Sequence, residues 1–132
     1  MTIASPRMGV IIADDDPDIR TLVAMAATRS GLELIDELED GDAAWEAIQS
    51  FLPELVVLDG AMPGKTGLEV TRLIRADPRV SGIRIIVISA RADELSRRAA
   101  LDAGADEYLV KPFSPRALVE HLATLAGEEV TH

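Results

Sequence analysis

Five polar side chains directly follow apolar runs in this sequence, where a purely structural chain would place turn formers. Asp14 and Asp15 follow "VIIA", Asp59 follows "LVVL", Ser89 follows "IIVI" and Lys111 follows "YLV". Three carboxylates with a hydroxyl and an ammonium group suit oxygen chemistry. Such a set can bind a hard cation, and an aspartate beside the cation can attack phosphorus to form an aspartyl phosphate. This chemistry requires the fold to bring the five side chains together.

Strands and helices must position these residues, and the sequence indicates them by a regular alternation of apolar runs with segments of helical periodicity. The apolar run 8–13 precedes residues 17–30, where Ile19, Leu22, Val23 and Ala26 have helical spacing. The pattern recurs, and it predicts strands at 8–13, 32–38, 54–59, 83–89 and 107–110 and helices at 17–30, 42–51, 67–76, 93–104 and 115–127. Helix starts agree with this interpretation, since "TGLE" at 66–69 is a capping box and Asp16 and Ser114 precede prolines.

Alternating strands and helices predict an α/β fold, a doubly wound five-stranded parallel sheet with helices on both faces. The runs 10–13, 55–58 and 85–88 are continuously apolar and are expected to be central strands, whereas 32–38 carries charges and 107–110 is short. This predicts strand order 2-1-3-4-5, the flavodoxin-like (βα)5 arrangement. We expect a single domain over residues 1–132, with a core at about 8–126 and polar residues from 127 onward frayed after the last helix.

In such a sheet, ligands bind beyond the carboxyl ends of the strands, where the strand order reverses. The five polar residues all lie at those ends. Two carboxylates about 5 Å apart repel by about 3 kcal/mol at an effective dielectric of 20, so a cation is expected beside them. Because the available ligands are oxygens, Mg²⁺ is the first candidate and Mn²⁺ the second, with Ca²⁺ disfavoured by the small number of ligands.

Each residue also has a purely structural explanation. Asp16 and Asp18 are best explained as charges that open a helix. Ser89 alone would be a loop hydroxyl, and Lys111 alone a surface lysine. Asp59 is different, because "GAMPGKT" separates it from the next helix, which has its own cap in Thr66. The combination of these residues at one edge therefore favours a functional site.

Composition excludes several classes of function. The chain has 132 residues with 23 acidic and 13 basic side chains, a formal charge of −10, so direct binding to nucleic acid or to an anionic membrane is not expected. There is no cysteine and no run of the roughly 20 apolar residues that a membrane span needs. We expect a cytoplasmic protein.

Four motifs in order, "IIADDDPDIR", "LVVLDGAMPGKTGLE", "IIVISARAD" and "GADEYLVKPFSP", make the chain resemble the receiver domain of bacterial two-component response regulators over about residues 8–126. The resemblance implies that Asp59 is the phosphoacceptor and that Lys111 and Ser89 contact the phosphoryl group. It implies a metal site built from the residues Asp14, Asp15, Asp59 and the backbone carbonyl of Ala61. It further implies that Tyr108 is a switch aromatic coupled to Ser89, and that Lys111–Pro112 is a cis peptide.

The resemblance implies that Asp59 accepts a phosphoryl group from a histidine kinase or a histidine phosphotransfer protein. The domain would assist its own phosphorylation and dephosphorylation without turning over other substrates, and would switch a face presented to an unidentified downstream protein. The chain would be a single-domain regulator or the receiver of a longer one. A homodimer through the fourth helix, fifth strand and fifth helix is a further expectation, although the fifth helix has little basic character after Arg116.

Other functions remain as alternatives. A phosphorylation-independent interaction module with the same fold is the main one, although it would be expected to lack some of the five site residues. A flavin binder is disfavoured because "ADDDPD" would repel the flavin phosphate, and an aspartate-based phosphatase because position 61 is alanine. Gly60 and Ala61 are small for this family, which would leave a phosphoryl group open to water. The charge of Arg91 either attracts a phosphodonor or, as we favour, belongs to a solvated loop arginine.

Overall fold

The structure is a computed structural model that describes the backbone of residues 8–130 and the side chains of residues 8–124. Its strands are β1 Gly9–Ala13, β2 Glu33–Leu38, β3 Leu55–Asp59, β4 Arg84–Ser89 and β5 Glu107–Val110. Its helices are α1 Pro17–Arg29, α2 Gly41–Phe51, α3 Gly67–Ala76, α4 Glu94–Ala103 and α5 Pro115–Val130. The five strands form one parallel sheet in the order β2-β1-β3-β4-β5, so the predicted fold and strand order are confirmed.

Local signals in the sequence explain where the helices begin. The Asp16 carboxylate accepts hydrogen bonds from the backbone N–H groups of Asp18 and Ile19 and thereby caps α1. Thr66 and Glu69 form the predicted capping box at the start of α3. Ser114 accepts from the N–H of Ala117 at 3.2 Å at the start of α5. These caps set the lengths of the loops that follow the strands, and those loops carry the site.

Two apolar layers lie on opposite faces of the sheet. Strand β3 contributes Val56 and Leu58 to the layer beneath α2, α3 and α4, and Leu55 and Val57 to the layer beneath α1 and α5. Each of these four side chains is at most 2 % exposed. Burial on both faces explains why the central strands are continuously apolar, and it holds the carboxyl end of β3 rigidly.

One prediction about the chain ends is wrong. Residues 127–130 were expected to be frayed, but α5 continues to Val130. Gly127 weakens a helix without stopping it, and no proline follows to interrupt the backbone hydrogen bonds. Thr131 and His132, like residues 1–7, lie outside the described residues, so the prediction of a single domain over 1–132 stays a prediction at both ends.

Candidate functional site

The parallel register brings the predicted site residues to one edge of the sheet. Leu58 pairs with Ala13 on one side and with Val87 on the other, so Asp14 and Asp59 leave neighbouring strands at nearly the same level. The next strand pair extends this edge, because the backbone N–H of Lys111 donates to the carbonyl of Ser89 at 2.8 Å. The arrangement follows directly from parallel strands that all end in polar residues.

Three carboxylates form a compact acidic cluster at this edge. One oxygen from each of Asp14, Asp15 and Asp59 can be chosen so that all lie within 4.8 Å of one another. Asp14 is 2 % exposed and Asp59 is 5 % exposed, whereas Asp15 is exposed. Two buried acids beneath one accessible acid leave an approach for a cation from solvent.

Lys111 lies between the two buried acids. Its Nζ is 3.1 Å from Asp14 Oδ2 and 3.3 Å from Asp59 Oδ1. Burial lowers the pKa of Lys111, but its hydrogen bond to Asp14 and the charges of Asp59 and Asp14 outweigh burial, and the pKa lies above its usual value. Lys111 is therefore a permanent positive charge beside Asp59. The predicted cis peptide between Lys111 and Pro112 is present.

The pKa of Asp59 is raised to about 6, chiefly by burial and next by the charge of Asp14. The charge of Lys111 and the N–H of Ala61, which donates to Asp59 Oδ1 at 3.3 Å, oppose this increase. A carboxyl group with such a pKa is largely ionised at neutral pH, and its negative charge is only partly compensated by its neighbours.

The loop that precedes α1 is held by Asp14 itself. Asp14 Oδ1 accepts the backbone N–H of Asp16 at 2.9 Å, and the Asp14 carbonyl accepts a guanidinium N–H of Arg20 at 2.8 Å. Arg20 also lies 3.7 Å from the Glu37 carboxylate. Sequence reasoning missed Arg20. Its position one turn into α1 was the available signal, because such a side chain can reach back to the loop before the helix.

The loop between β3 and α3 begins and ends beside Asp59. The N–H of Gly60 donates to the Ile88 carbonyl at 2.8 Å, and the N–H of Gly67 donates to the Gly60 carbonyl at 3.2 Å. A Cβ at Gly67 would lie 2.5 Å from the Asp59 carbonyl oxygen, so no side chain fits there. Gly67 was also missed by sequence reasoning, although a glycine in the first turn of a predicted helix is a usable signal for close packing.

Ser89 and Tyr108 are joined through the backbone of Arg91. The N–H of Arg91 donates to Ser89 Oγ at 3.1 Å, and the Tyr108 hydroxyl donates to the Arg91 carbonyl at 2.7 Å. The Arg91 side chain itself is exposed and donates to Ser96 Oγ at 3.0 Å. Arg91 also lines the cavity beside Asp59, so both interpretations of its side chain stay open, while its backbone gives Ser89 and Tyr108 a physical connection.

A cavity of about 450 Å³ opens beside Asp59. Ser89, Lys111 and Tyr108 line it together with small residues, namely Gly60, Ala61, Ala90 and Ala99. The small side chains of Gly60 and Ala61, predicted to leave the site open, therefore face a space next to Asp59.

The donor set fits a hard divalent cation. The cluster offers carboxylate oxygens and no thiolate or imidazole, and two of the three acids are too buried for water to screen their mutual repulsion. The acidic pocket Asp14, Asp15 and Asp59 is thus compatible with Mg²⁺. None of the helices in the described part of the chain is both long enough and apolar enough to cross a membrane.

Comparison with protein families then decides the class. The model of the response regulator receiver domain matches residues 10–123. The chain belongs to the response regulator receiver family. The match covers all four motifs and the whole sheet except Gly9, so the fold and the receiver function of the domain rest on nearly its full length. As a receiver domain, the chain belongs to two-component signal transduction.

Curated relatives of this receiver are longer proteins. It is 37 % identical over 113 residues to the phosphate regulon transcriptional regulatory protein PhoB of Pseudomonas aeruginosa, covering 86 % of this chain and 49 % of that protein. It is 34 % identical over 113 residues to the DNA-binding response regulator MtrA of Mycolicibacterium smegmatis, covering 86 % and 48 %. The chain thus spans about half the length of these relatives.

A solved structure shows the same architecture. The signal receiver domain of NarL from Mycobacterium tuberculosis is 30 % identical and superposes with a TM-score of 0.85, covering 93 % of this chain and 98 % of that one.

Proposed function

We propose that Asp59 is the phosphoacceptor of this receiver and takes a phosphoryl group from a histidine of a kinase or phosphotransfer protein. The observation that supports this most strongly is the position of Asp59, buried at a strand end with Asp14 on one side and Lys111 at 3.3 Å. No other carboxylate of the described cluster combines burial, an ammonium partner and an adjoining cavity.

The reaction is an in-line displacement at phosphorus. An oxygen of ionised Asp59 attacks, the new P–O bond forms as the P–N bond to histidine breaks, and the ring nitrogen leaves with the bonding electron pair. Phosphoryl transfer of this kind depends on positioning and charge stabilisation rather than on further covalent steps. The rigid end of β3 supplies the positioning.

The surrounding residues supply the charge stabilisation. Lys111 and Ser89 are proposed to contact oxygens of the phosphoryl group, since both line the cavity beside Asp59. Asp14, Asp15, Asp59 and the backbone carbonyl of Ala61 would hold Mg²⁺, with Mn²⁺ as a substitute. When bound, the ion would neutralise negative charge on the transferring group.

Phosphorylation is proposed to bias two conformations through the link from Ser89 to Tyr108. A hydroxyl drawn toward the phosphoryl group would pull on the N–H of Arg91, and the carbonyl of the same residue accepts from Tyr108. The readout face would be α4, β5 and α5, where Leu95 is 83 % exposed.

A homodimer through this face stays a prediction. Arg97 and Arg98 both contact Glu94 on their own helix, so their charges are partly compensated.

Curated relatives are named as transcriptional or DNA-binding regulators, so we propose that this receiver controls an effector. The effector could belong to the same polypeptide or to a separate protein. Direct contact of the receiver with nucleic acid is not expected, given its charge of −10.

The test is intact mass spectrometry after incubation with phosphoramidate and Mg²⁺. We expect one added phosphoryl group on the wild type and none on Asp59→Ala. Glu120→Gln, an exposed change on α5, is the matched control and should behave as wild type. Addition of the same mass to Asp59→Ala would overturn the assignment of Asp59. No addition to the wild type, together with no heat on Mg²⁺ titration, would favour the phosphorylation-independent module.

A further inference from the structure

The first turn of α2 contacts the loop that carries Ala61. The N–H of Gly41 donates to the carbonyl of Pro63 at 3.0 Å, and the Lys65 ammonium forms an ion pair with Asp42. Both contacts lie within four residues of Ala61 along the chain. The loop from 60 to 66 is therefore fixed by α2 as well as by the bond between Gly67 and Gly60.

The absence of a side chain at Gly41 makes this contact possible. A Cβ there would lie 2.5 Å from the Lys65 carbonyl carbon and closer still to the carbonyl oxygen. These are backbone atoms, so the clash cannot be relieved by rotating a side chain. Gly41 is buried, and its backbone is helical rather than left-handed. Space, and not backbone conformation, is what requires glycine at this helical position.

The middle of the loop is held between these contacts. Met62 is 7 % exposed and packs in the apolar layer beneath α2, α3 and α4. Gly64 has a φ of +74°, and a side chain there would meet the Asp42 carboxylate. The loop thus touches the first turn of α2 at three successive positions, Pro63, Gly64 and Lys65, and Ala61 lies between these positions and Asp59 along the chain.

We infer that Gly41 is a positioning residue for the metal site: by letting the loop from 60 to 66 pack on α2, it fixes the place of the Ala61 carbonyl. The inference rests on the proposed function, because the carbonyl matters only if the acidic cluster binds Mg²⁺. A ligand held by rigid neighbours costs little to order on binding, so displacing the loop should weaken metal binding even where the protein stays folded.

The experiment compares Gly41→Ala with Gly82→Ala. Gly82 is the matched control because a Cβ there would meet nothing within 4 Å and its φ is not positive. Isothermal titration calorimetry with Mg²⁺ is the first readout, after circular dichroism has shown that each variant is folded. We expect the Kd for Mg²⁺ to rise about tenfold or more in Gly41→Ala and to stay at the wild-type value in Gly82→Ala.

A second readout separates positioning from mere loss of stability. Phosphorylation of Gly41→Ala by phosphoramidate should return toward the wild-type rate as Mg²⁺ is raised, because weak binding is overcome by concentration. An unchanged Kd for Mg²⁺ in folded Gly41→Ala would overturn the inference, and so would a rate that Mg²⁺ does not restore.

If Gly41→Ala fails to fold, Gly64→Ala decides the matter. It disturbs the same contact from the loop side, both because alanine is strained at the φ of +74° and because its Cβ would meet the Asp42 carboxylate. A raised Kd for Mg²⁺ in folded Gly64→Ala supports the inference, and a wild-type Kd overturns it. Failure of the wild type itself to bind Mg²⁺ would instead be a failure of the proposed function.

Discussion

Asp59 is buried, and yet as the proposed phosphoacceptor it must carry a negative charge; burial and ionisation oppose each other. Burial and Asp14 raise its pKa to about 6, while Lys111 limits the increase. The ionised carboxylate of Asp59 therefore destabilises the folded protein relative to its protonated form. Such stored electrostatic cost is a common property of reactive groups, because the same demand for positive charge attracts a cation and a phosphoryl donor.

Asp59→Asn is therefore expected to stabilise the metal-free protein. A raised pKa means that the folded state binds more protons than the unfolded state between about pH 4 and pH 6, so stability is lost as the pH rises through that range. At about pH 7.5 in EDTA, we expect Asp59→Asn to unfold with a free energy higher by on the order of 1 to 3 kcal/mol. The gain should shrink toward zero near about pH 4, where the wild-type carboxyl is protonated.

Urea denaturation at the two pH values measures this difference. Glu120→Gln, which removes an exposed charge from the middle of α5, should change stability by less than about 0.5 kcal/mol. If Asp59→Asn were no more stable than the wild type at the higher pH, the raised pKa of Asp59 would be refuted.

At the scale of elements, Arg75 joins three segments near the amino ends of β4 and β5, at the edge of the sheet opposite to Asp59. Its guanidinium donates to the carbonyls of Gly104, Ser81 and Ile83 and to the Asp106 carboxylate. Asp106 also accepts the N–H of Ile85 at 2.7 Å. One side chain thus connects the end of α3, the loop before β4 and the loop before β5.

Arg75→Lys is expected to destabilise the protein by on the order of 2 to 4 kcal/mol, because one ammonium cannot replace a planar group that donates in four directions. Arg72→Lys on the exposed side of α3 is the control and should cost less than about 0.5 kcal/mol. Thermal or urea unfolding in EDTA measures both. Equal stability of the two variants would show that the contacts of Arg75 contribute little.

The elements and most of the site were predictable from local sequence. Apolar runs define strands, caps define helix starts, and a parallel sheet must bring residues such as Asp14 and Asp59 to the same edge. The contacts of Arg75 and Gly41 were not predictable, because each depends on how close distant segments of the backbone approach, whereas the glycine at position 67 was a usable signal that was missed. The helical continuation to Val130 was missed for another reason, since a weak glycine signal near a chain end does not reveal where fraying starts.

At the scale of the whole molecule, metal binding should be coupled to folding. An ion that binds only the assembled cluster stabilises the folded state in proportion to the logarithm of its concentration. The acids come from the loop after β1 and from the end of β3, so the cluster cannot exist in the unfolded chain.

We expect the free energy of unfolding to rise by about 2.7 kcal/mol when Mg²⁺ is present at about 100 times its Kd. Asp15→Asn should abolish most of this rise without harming the apo protein, because Asp15 is exposed. Urea unfolding with and without Mg²⁺ at matched ionic strength provides the measurement. An equal rise in Asp15→Asn would mean that the ion acts elsewhere on this acidic surface.

The alternation of side chains along β3 has a mechanical consequence. Because successive residues point into opposite apolar layers, a small displacement of this strand alters the packing on both sides of the sheet at once. The helices above and below the sheet cannot relax independently of one another. A displacement of the carboxyl end of β3 is therefore expected to alter side-chain packing on both faces of the sheet, including parts that do not contact the acidic cluster.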